Sequence, residues 1–273
     1  MPQEINNEFG SVDGTGRFWL FFRYQIGLLE KARQLVMQED GERLQVIIPL
    51  LYAVIDTSDS ISFLAQRGKV RDCFVLARTA FETIVNLSFI FSEGDEAVKR
   101  AKQHAQQKAY RDLNRDLDIA GDKIVLQWTG VDKIKINAEL QSAIAHFTSK
   151  KGKEITSWTS ETVKNRIESI KKRFGDRIST KLQFPFFAIY RHASEISHGT
   201  FFGALFALGL TSPSGPPKSQ DDLRTHLFSN LSMLLMLLGY AISALISVLS
   251  EDISSIDELA TQSDKAISEF EVK

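Results

Sequence analysis

The chain is poor in cysteine, glycine and proline. Its 273 residues include one cysteine, Cys73, together with 16 glycines and 6 prolines. A single thiol excludes an intrachain disulfide, and it excludes a zinc or iron–sulfur site that needs several cysteines from one chain. The scarcity of the two strongest helix breakers favours a protein with long helices.

The sequence also lacks a strong net charge and a targeting segment. Its formal net charge is −1 and its hydrophobic content is 43%, which excludes an intrinsically disordered chain. The opening residues, MPQEINNEFG, contain neither the basic nor the apolar stretch of a signal peptide. We therefore expect a cytoplasmic protein that forms a single helical domain over residues 1–273, with residues 1–16 as a flexible N-terminal segment.

No strong catalytic motif occurs in the chain. A phosphate-binding Walker loop, a nucleophile elbow and a His-Glu-x-x-His pair are all missing. The only two histidines close in sequence, His192 and His198, are six residues apart, which places them on opposite sides of a helix. We therefore expect neither a bound metal nor a cofactor.

Apolar residues recur at steps of three and four, as Trp19, Phe22 and Ile26 do near the N-terminus. This spacing predicts an all-α fold, a helical bundle of about eight helices. The fourth helix is predicted to cover residues 95–118. The stretch IVLQW at 124–128 fits either a short strand or a loop.

Two later helices have identifiable ends. Pro185 is suited to the first turn of a helix, and Gly199 is suited to the position just after its last residue. Residues 211–220, TSPSGPPKSQ, form a linker inside the domain. Asp221 or Asp222 is then predicted to cap the next helix.

That next helix is long and apolar. Residues 227–250 contain no charged side chain and are long enough to cross about 30 Å of hydrocarbon. No basic cluster flanks the segment, although a membrane span usually has one on its cytoplasmic side. Small residues such as Gly239 and Ser243 share one stripe, which lets another helix approach closely. We therefore favour a central helix buried on all sides over a membrane span.

One segment is strongly basic. Residues 150–181 contain ten lysines and arginines against four acidic residues. The excess fits either a solvated helix face with its loop or a surface that binds the phosphates of RNA. The candidate RNA-binding residues are Lys150, Lys151, Lys171, Lys172 and Arg173.

The segment Tyr190-Arg-His-Ala-Ser-Glu-Ile-Ser-His198 contains the best candidates for chemistry. Arg191 and His198 are seven residues apart, so they share one helix face at about 10 Å along the axis. Ser194 and Glu195 lie between them on that side. Ala193 and Ile196 lie on the other side and are predicted to face the core.

An arginine and a histidine on one face suit the cleavage of an RNA phosphodiester. The reaction needs a base for the ribose 2′-OH, an acid for the leaving oxygen and a cation for the phosphate. Arginine binds phosphate oxygens in a fork, and histidine titrates near neutrality. The alternative is structural, because a histidine at the last turn of a helix often caps backbone carbonyls.

A second pair lies on the helix predicted at 69–92. Arg78 and Glu82 are its only charges between Cys73 and Ser92, and Asn86 extends the same line. The four-residue spacing places both side chains on one face, and the apolar sequence around them predicts a buried, hydrogen-bonded ion pair. The pair is either a structural contact that fixes helix register, or it faces the 190–198 helix and orients His198 or binds phosphate.

These residues resemble two families. Arg191, the polar His192 next to it and His198 after six intervening residues resemble the motif of the HEPN superfamily. ARTAFE at 77–82 together with YRHASEISHGT at 190–200 also resembles an uncharacterised bacterial family of helical domains. That family has an Arg-x-x-x-Glu helix and a Tyr-x-x-x-Ser-x-x-x-His helix, and the resemblance covers residues from about 45 to 250.

The HEPN resemblance implies a dimeric helical bundle whose two subunits form a composite cleft. It implies a metal-independent endoribonuclease in many members, including toxins and antiphage-defence effectors that have antitoxin or defence-system partners. Arg191 would steady the scissile phosphate and His198 would move protons, with support from Tyr190, His192, Ser194, Glu195, Arg78 and Glu82. Some members only bind nucleotides or partners, so the alternative is a non-enzymatic binding protein with a structural polar network.

Overall fold

The described part of the chain folds mainly into α-helices. The computed structural model describes residues 15–113, 116–125, 136–211 and 215–271. Its contacts divide the chain into two compact units, one of residues 1–92 with 162–273 and the other of residues 93–161. The second unit is inserted into the sequence of the first, and the single helical domain over residues 1–273 stays a prediction.

The all-α prediction is confirmed at the level of fold class. The described residues contain more than the eight helices predicted, together with a two-stranded hairpin. The helices are α1 Thr15–Val36, α2 Leu44–Ala65, α3 Val70–Glu93, α4 Asp95–Leu113, α5 Ala138–His146, α6 Val163–Phe174, α7 Asp176–Pro185, α8 Arg191–Ser197, α9 Phe201–Ala207, α10 Gln220–Ser250 and α11 Asp257–Glu271.

Helix α10 is the centre of the first unit. It packs against α1, α7 and α11, and its residues from Leu234 to Leu249 are almost all buried. A side chain at Gly239 would collide with the ring of Phe21, so this glycine permits the close approach of α1. The prediction of a long, buried central helix is confirmed.

Within the described ranges three helices, α2, α3 and α10, are long and apolar enough to cross a membrane by length and composition. The three helices differ in the share of their apolar stretch that is buried within the protein. In α10, 83% of the most apolar window is buried within the protein, against 39% in α2. The most hydrophobic segment is therefore also the one most fully packed by its own chain.

Several helix ends differ from the predictions. Pro185 ends α7, nine residues after that helix begins, and does not start a helix. Ser219, not Asp221 or Asp222, caps α10 by accepting a hydrogen bond from the Asp222 N–H. A hydroxyl at the position just before the helix satisfies a free amide of the first turn, and the two aspartates instead add favourable negative charge there.

The second unit contains α4, α5 and the hairpin of β1 Asp116–Ile119 and β2 Asp122–Val125. The predicted fourth helix is too long, because α4 ends at Leu113 and strand β1 occupies 116–119. Both turn residues, Ala120 and Gly121, have positive φ, as a tight two-residue hairpin requires. Of the ambiguous stretch 124–128, residues 124 and 125 are in β2, and 126–128 lie outside the described residues, as do 1–14.

The buried thiol of Cys73 gives a test of the fold. Burial, with a smaller contribution from Asp72, raises the pKa of this thiol to about 12. The reactive thiolate is therefore scarce, and the sulfur is inaccessible in the folded protein. We expect Ellman's reagent to modify Cys73 at least about 100-fold more slowly in the native protein than in guanidinium. Rapid modification of the native protein would contradict the packing around α3.

Candidate functional site

Helix α8 is the last part of one continuous helical rod. The rod begins with α7, passes through a π-helical stretch at Phe186–Tyr190 and continues into α8. Pro185 has no N–H, so the carbonyl of Lys181 loses its usual donor just before the π-helical stretch. Such a loss favours a local change of hydrogen-bond register, and π-helical turns are frequent at functional sites.

Arg191 and His198 are both exposed on α8. No break separates them, because the helix runs unbroken from Arg191 to Ser197 and the His198 N–H bonds to the Ser194 carbonyl at 3.0 Å. Ala193 and Ile196 are buried on the other side, as predicted. Neither the Arg191 nor the His198 side chain makes a hydrogen bond or ion pair with the described part of the chain. Both side chains are thus available to a ligand.

In the described structure the His198 side chain does not cap the backbone carbonyls at the end of α8. The Gly199 N–H bonds to the Ile196 carbonyl at 3.1 Å, and the Thr200 N–H bonds to the Glu195 carbonyl at 3.2 Å. Gly199 has a φ of +65°, as this type of helix end requires. The backbone itself therefore caps α8, and the His198 imidazole is left without that role.

Arg78 connects α3 to α8. Its guanidinium donates to Glu82 at 3.1 Å and to the Ser194 hydroxyl at 3.2 Å, and it lies 4.9 Å from the centre of the Tyr190 ring. Burial disfavours the charged form, but Glu82 and Tyr190 outweigh it and raise the pKa of Arg78. The hypothesis that this pair faces the 190–198 helix therefore agrees with the geometry.

His192 lies between α8 and α9. Its ring stacks on Phe206 at 4.3 Å with an interplanar angle of 6°, and it lies 6.2 Å from Phe202. Burial, helped by the charge of Arg191, lowers the pKa of His192. A neutral, stacked imidazole is a packing element here, and it does not point to the face shared by Arg191 and His198.

Glu195 and Gly203 fix the turn between α8 and α9. The exposed Glu195 carboxylate accepts a hydrogen bond from the Thr200 hydroxyl at 2.8 Å. A side chain at Gly203 would lie 2.5 Å from the carbonyl carbon of Glu195, so the two helices touch through backbone. This contact sets the position of His198, which lies between them.

The five candidate RNA-binding residues lie in two different units of the structure. Lys171, Lys172 and Arg173 are exposed on α6, and Lys171 pairs with Asp176 at 2.7 Å. Lys150 and Lys151 are exposed too, but they belong to the second unit.

Two further cations of the basic segment are used inside the protein. Arg177 and Lys181 both pair with Asp264 of α11. Part of the charge excess found in the sequence is therefore used in ion pairs with α11.

Sequence reasoning missed a group of exposed apolar side chains around α8. Phe201 is 79% exposed and Phe187 is 60% exposed, and both lie within a turn or two of Arg191 or His198 in sequence. The signal was present as doublets, Phe186-Phe187 and Phe201-Phe202, which flank the motif. The group consists of Phe184, Phe187, Phe201, Phe202, Leu208 and Leu210.

Two glycines inside helices provide a matched test of this packing. We expect Gly203→Ala to lower the free energy of unfolding by about 1–3 kcal/mol, because the added methyl group overpacks the α8–α9 contact. Gly27→Ala on α1 meets nothing within 4 Å and should stabilise the protein by about 0.4–1 kcal/mol. Urea unfolding measures both values. Equal stability of the two variants would refute the close α8–α9 contact.

No group of three or more histidine, cysteine, aspartate or glutamate side chains that could hold a metal ion is found among the described residues. No curated protein and no solved structure matches the chain. The model of a family described as a family of unknown function, DUF5677, matches residues 44–213, which include Arg78, Glu82, Arg191 and His198. Because the match covers more than half of its residues, the chain belongs to the DUF5677 family.

Proposed function

We propose that this protein is an HEPN-like endoribonuclease that cuts RNA without a metal ion. The observation that carries the proposal is the exposure of Arg191 and His198 on one unbroken face of α8, with neither side chain engaged by another described residue. Two free groups of these types, about 10 Å apart along a rigid helix, suit a scissile phosphate and the ribose beside it.

The reaction has a defined balance of bonds and protons. The 2′-oxygen attacks the adjacent phosphorus, the bond from phosphorus to the 5′-oxygen breaks, and a cyclic phosphate and a free 5′-hydroxyl result. His198 takes the 2′-OH proton, and Arg191 stabilises the charge that grows on the phosphate oxygens. The leaving 5′-oxygen needs a proton from a second acid.

A second copy of the chain is our candidate for that acid. His192 is stacked against Phe206, and no other histidine lies on this face of α8. The exposed apolar group around α8 supports self-association, because aromatic side chains are enriched at protein interfaces. In a symmetric homodimer the two α8 helices would bring two imidazoles to one phosphate, and the site would be complete only when shared.

Arg78 and Glu82 support the site in this proposal. The Arg78 guanidinium contacts Ser194 of α8 and the ring of Tyr190, the last residue of the π-helical stretch, and both lie within one turn of Arg191. Removing this cation would take a hydrogen-bond donor from the Glu82 carboxylate and the Ser194 hydroxyl, both half-buried, and would weaken the attachment of α8 to α3. In the cleavage step these residues act by positioning α8, and they do not contact the reacting atoms.

The same network also supports the alternative, a non-enzymatic protein that binds a nucleotide or a partner. Every contact of Arg78 can be explained by the need to satisfy a half-buried charge. In that case Arg191 and His198 bind without cutting. We also propose that the protein acts in the cytoplasm as a toxin or an antiphage-defence effector. Its partner would then be an antitoxin or another protein of the defence system.

An RNase assay in EDTA separates the two functions. We expect wild-type protein to cut a mixed-sequence RNA, and Arg191→Ala or His198→Ala to reduce the rate at least about 100-fold, because each removes a group that acts in the transition state. Arg224→Ala and His146→Ala change residues of the same types that are also exposed, and they should have no effect.

Two results would contradict the nuclease. One is RNA that stays intact with wild-type protein at every concentration tested. The other is an equal rate for wild type, Arg191→Ala and His198→Ala, which would identify a contaminating nuclease.

The dimer has its own test. A standard interface covers roughly 800 Å² on each partner, and buried aromatic residues dominate its energy. We expect the double variant Phe187→Ser and Phe201→Ser to weaken self-association at least about tenfold in sedimentation equilibrium. Leu20→Ser on α1, where Leu20 is 62% exposed, is the matched control and should leave self-association unchanged. A monomeric wild-type protein would refute the shared site.

A further inference from the structure

Helix α6 has two basic flanks with different surroundings. Arg166 and Arg173 are seven residues apart and share one flank. Lys164 lies nine residues before Arg173, which places it on the opposite side of the helix axis. Val163, Ile167 and Ile170 face the core between these flanks. The two flanks therefore carry similar charge and differ in what lies beside them.

The Arg166 flank lies beside α3. The Arg166 guanidinium donates to the Asn86 side chain, and both residues are half-buried. Asn86 is one turn from Glu82 and two turns from Arg78 on the same face of α3. A polar line therefore runs along α3 from the contact with α8 to the contact with α6.

The direction of α6 extends this line. Tyr190 lies against Phe81 and Ser194 against Arg78, so α8 runs antiparallel to α3. Helices α6 and α7 pack together and are joined at Gly175, so α6 runs antiparallel to the rod that contains α8. Hence α6 runs parallel to α3, and Arg173 lies beyond Arg166 on the side away from α8.

The exposed end of the line is positive. Arg173 is exposed and makes no hydrogen bond or ion pair with any residue in the described ranges. The line pairs Arg78 with Glu82 and Arg166 with the Asn86 side chain, and it leaves Arg173 as its exposed cation. Its length is about 22 Å at the 1.5 Å rise of a helix, about 12 Å of it along α3 and about 10 Å along α6.

We propose that this line, from Ser194 through Arg78, Asn86 and Arg166 to Arg173, is a binding track for the phosphates of an RNA strand that extends from the α8 site. The inference rests on the proposed function for its starting point, and it adds a substrate class, a strand of several nucleotides. At about 3.4 Å per phosphate of a stacked strand, the track spans about six nucleotides.

The strand length follows from the position of the exposed cation. A ligand of about three nucleotides bound at Arg191 and His198 would end near Arg78 and would not reach Arg173. Only a longer strand gains the contact with Arg173. Each phosphate that an arginine neutralises releases counterions, so the gain depends on salt.

Binding to uncleavable RNA tests the track separately from catalysis. The probes are 2′-O-methyl RNA strands of about twelve and about three nucleotides with a fluorescent label, titrated with wild-type protein between about 50 and 200 mM salt. We expect Arg173→Gln to weaken binding of the longer strand about threefold to tenfold and to reduce the salt slope by about 0.7. The shorter strand should bind Arg173→Gln and wild type alike.

Lys164→Gln is the matched control, because it removes the same charge from the other flank of the same helix. It should leave both affinities unchanged, and an unchanged melting temperature in both variants confirms that they fold. The track is overturned if the two variants weaken the longer strand equally, if Arg173→Gln weakens both strands equally, or if wild type does not bind the longer strand.

A final arm uses vesicles of phosphatidylserine and phosphatidylcholine. If Arg173→Gln reduces vesicle binding and leaves RNA binding intact, the arginines bind an anionic membrane and the RNA track is wrong. If RNA binding depends on Arg173 as expected but no RNA is cut in EDTA, the track stands and the nuclease proposal falls.

Discussion

The Arg78 guanidinium is the contact on which the arrangement of α3 and α8 depends. A half-buried cation is tolerated only with partners. Arg78 has them in Glu82 on its own helix, in Ser194 on α8 and in the Tyr190 ring just before α8. Because side chains on one helix have a fixed angular relation, turning Ser194 toward α3 also sets where Arg191 and His198 point. Both then face solvent, with Ala193 and Ile196 in the core. The orientation of α8 is therefore set by the charge of a residue on another helix.

Features that depend on local periodicity could be predicted from the sequence. The shared face of Arg191 and His198, the buried position of Ile196 and the Arg78–Glu82 pair all follow from helical spacing, and the structure contains each of them. The burial of α10 could also be predicted, because a long uncharged stretch without basic flanks favours packing against other helices over a membrane span. That the Arg78–Glu82 pair faces α8 was one of two alternatives, because spacing along α3 does not indicate which distant helix packs against it.

Features that depend on contacts distant in sequence could not be predicted. Arg166 and Asn86 are eighty positions apart, and neither residue has a neighbour in sequence that indicates the other. Pro185 was misplaced because a proline fits a first turn and also fits the point where a helix changes its hydrogen-bond register. The sequence leaves open whether the basic segment is a solvated face or a phosphate-binding surface, and it does not indicate that Asp264 pairs with Arg177 and Lys181 or that other cations lie in the second unit. Exposure of Phe187 and Phe201 is likewise a property of the folded surface.

The π-helical stretch at Phe186–Tyr190 has a consequence for how the segment can change in evolution. A π-helical hydrogen bond encloses one residue more than an α-helical one, so deleting one residue at 186–190 restores the α-helical register and leaves Ala193 and Ile196 in the core. A deletion in the α-helical parts of the rod, α7 or α8, instead rotates everything after it by about 100° and carries buried side chains toward solvent. Among descendants of this chain the length of the rod should therefore change by single residues at the π-helical stretch and stay constant on either side of it.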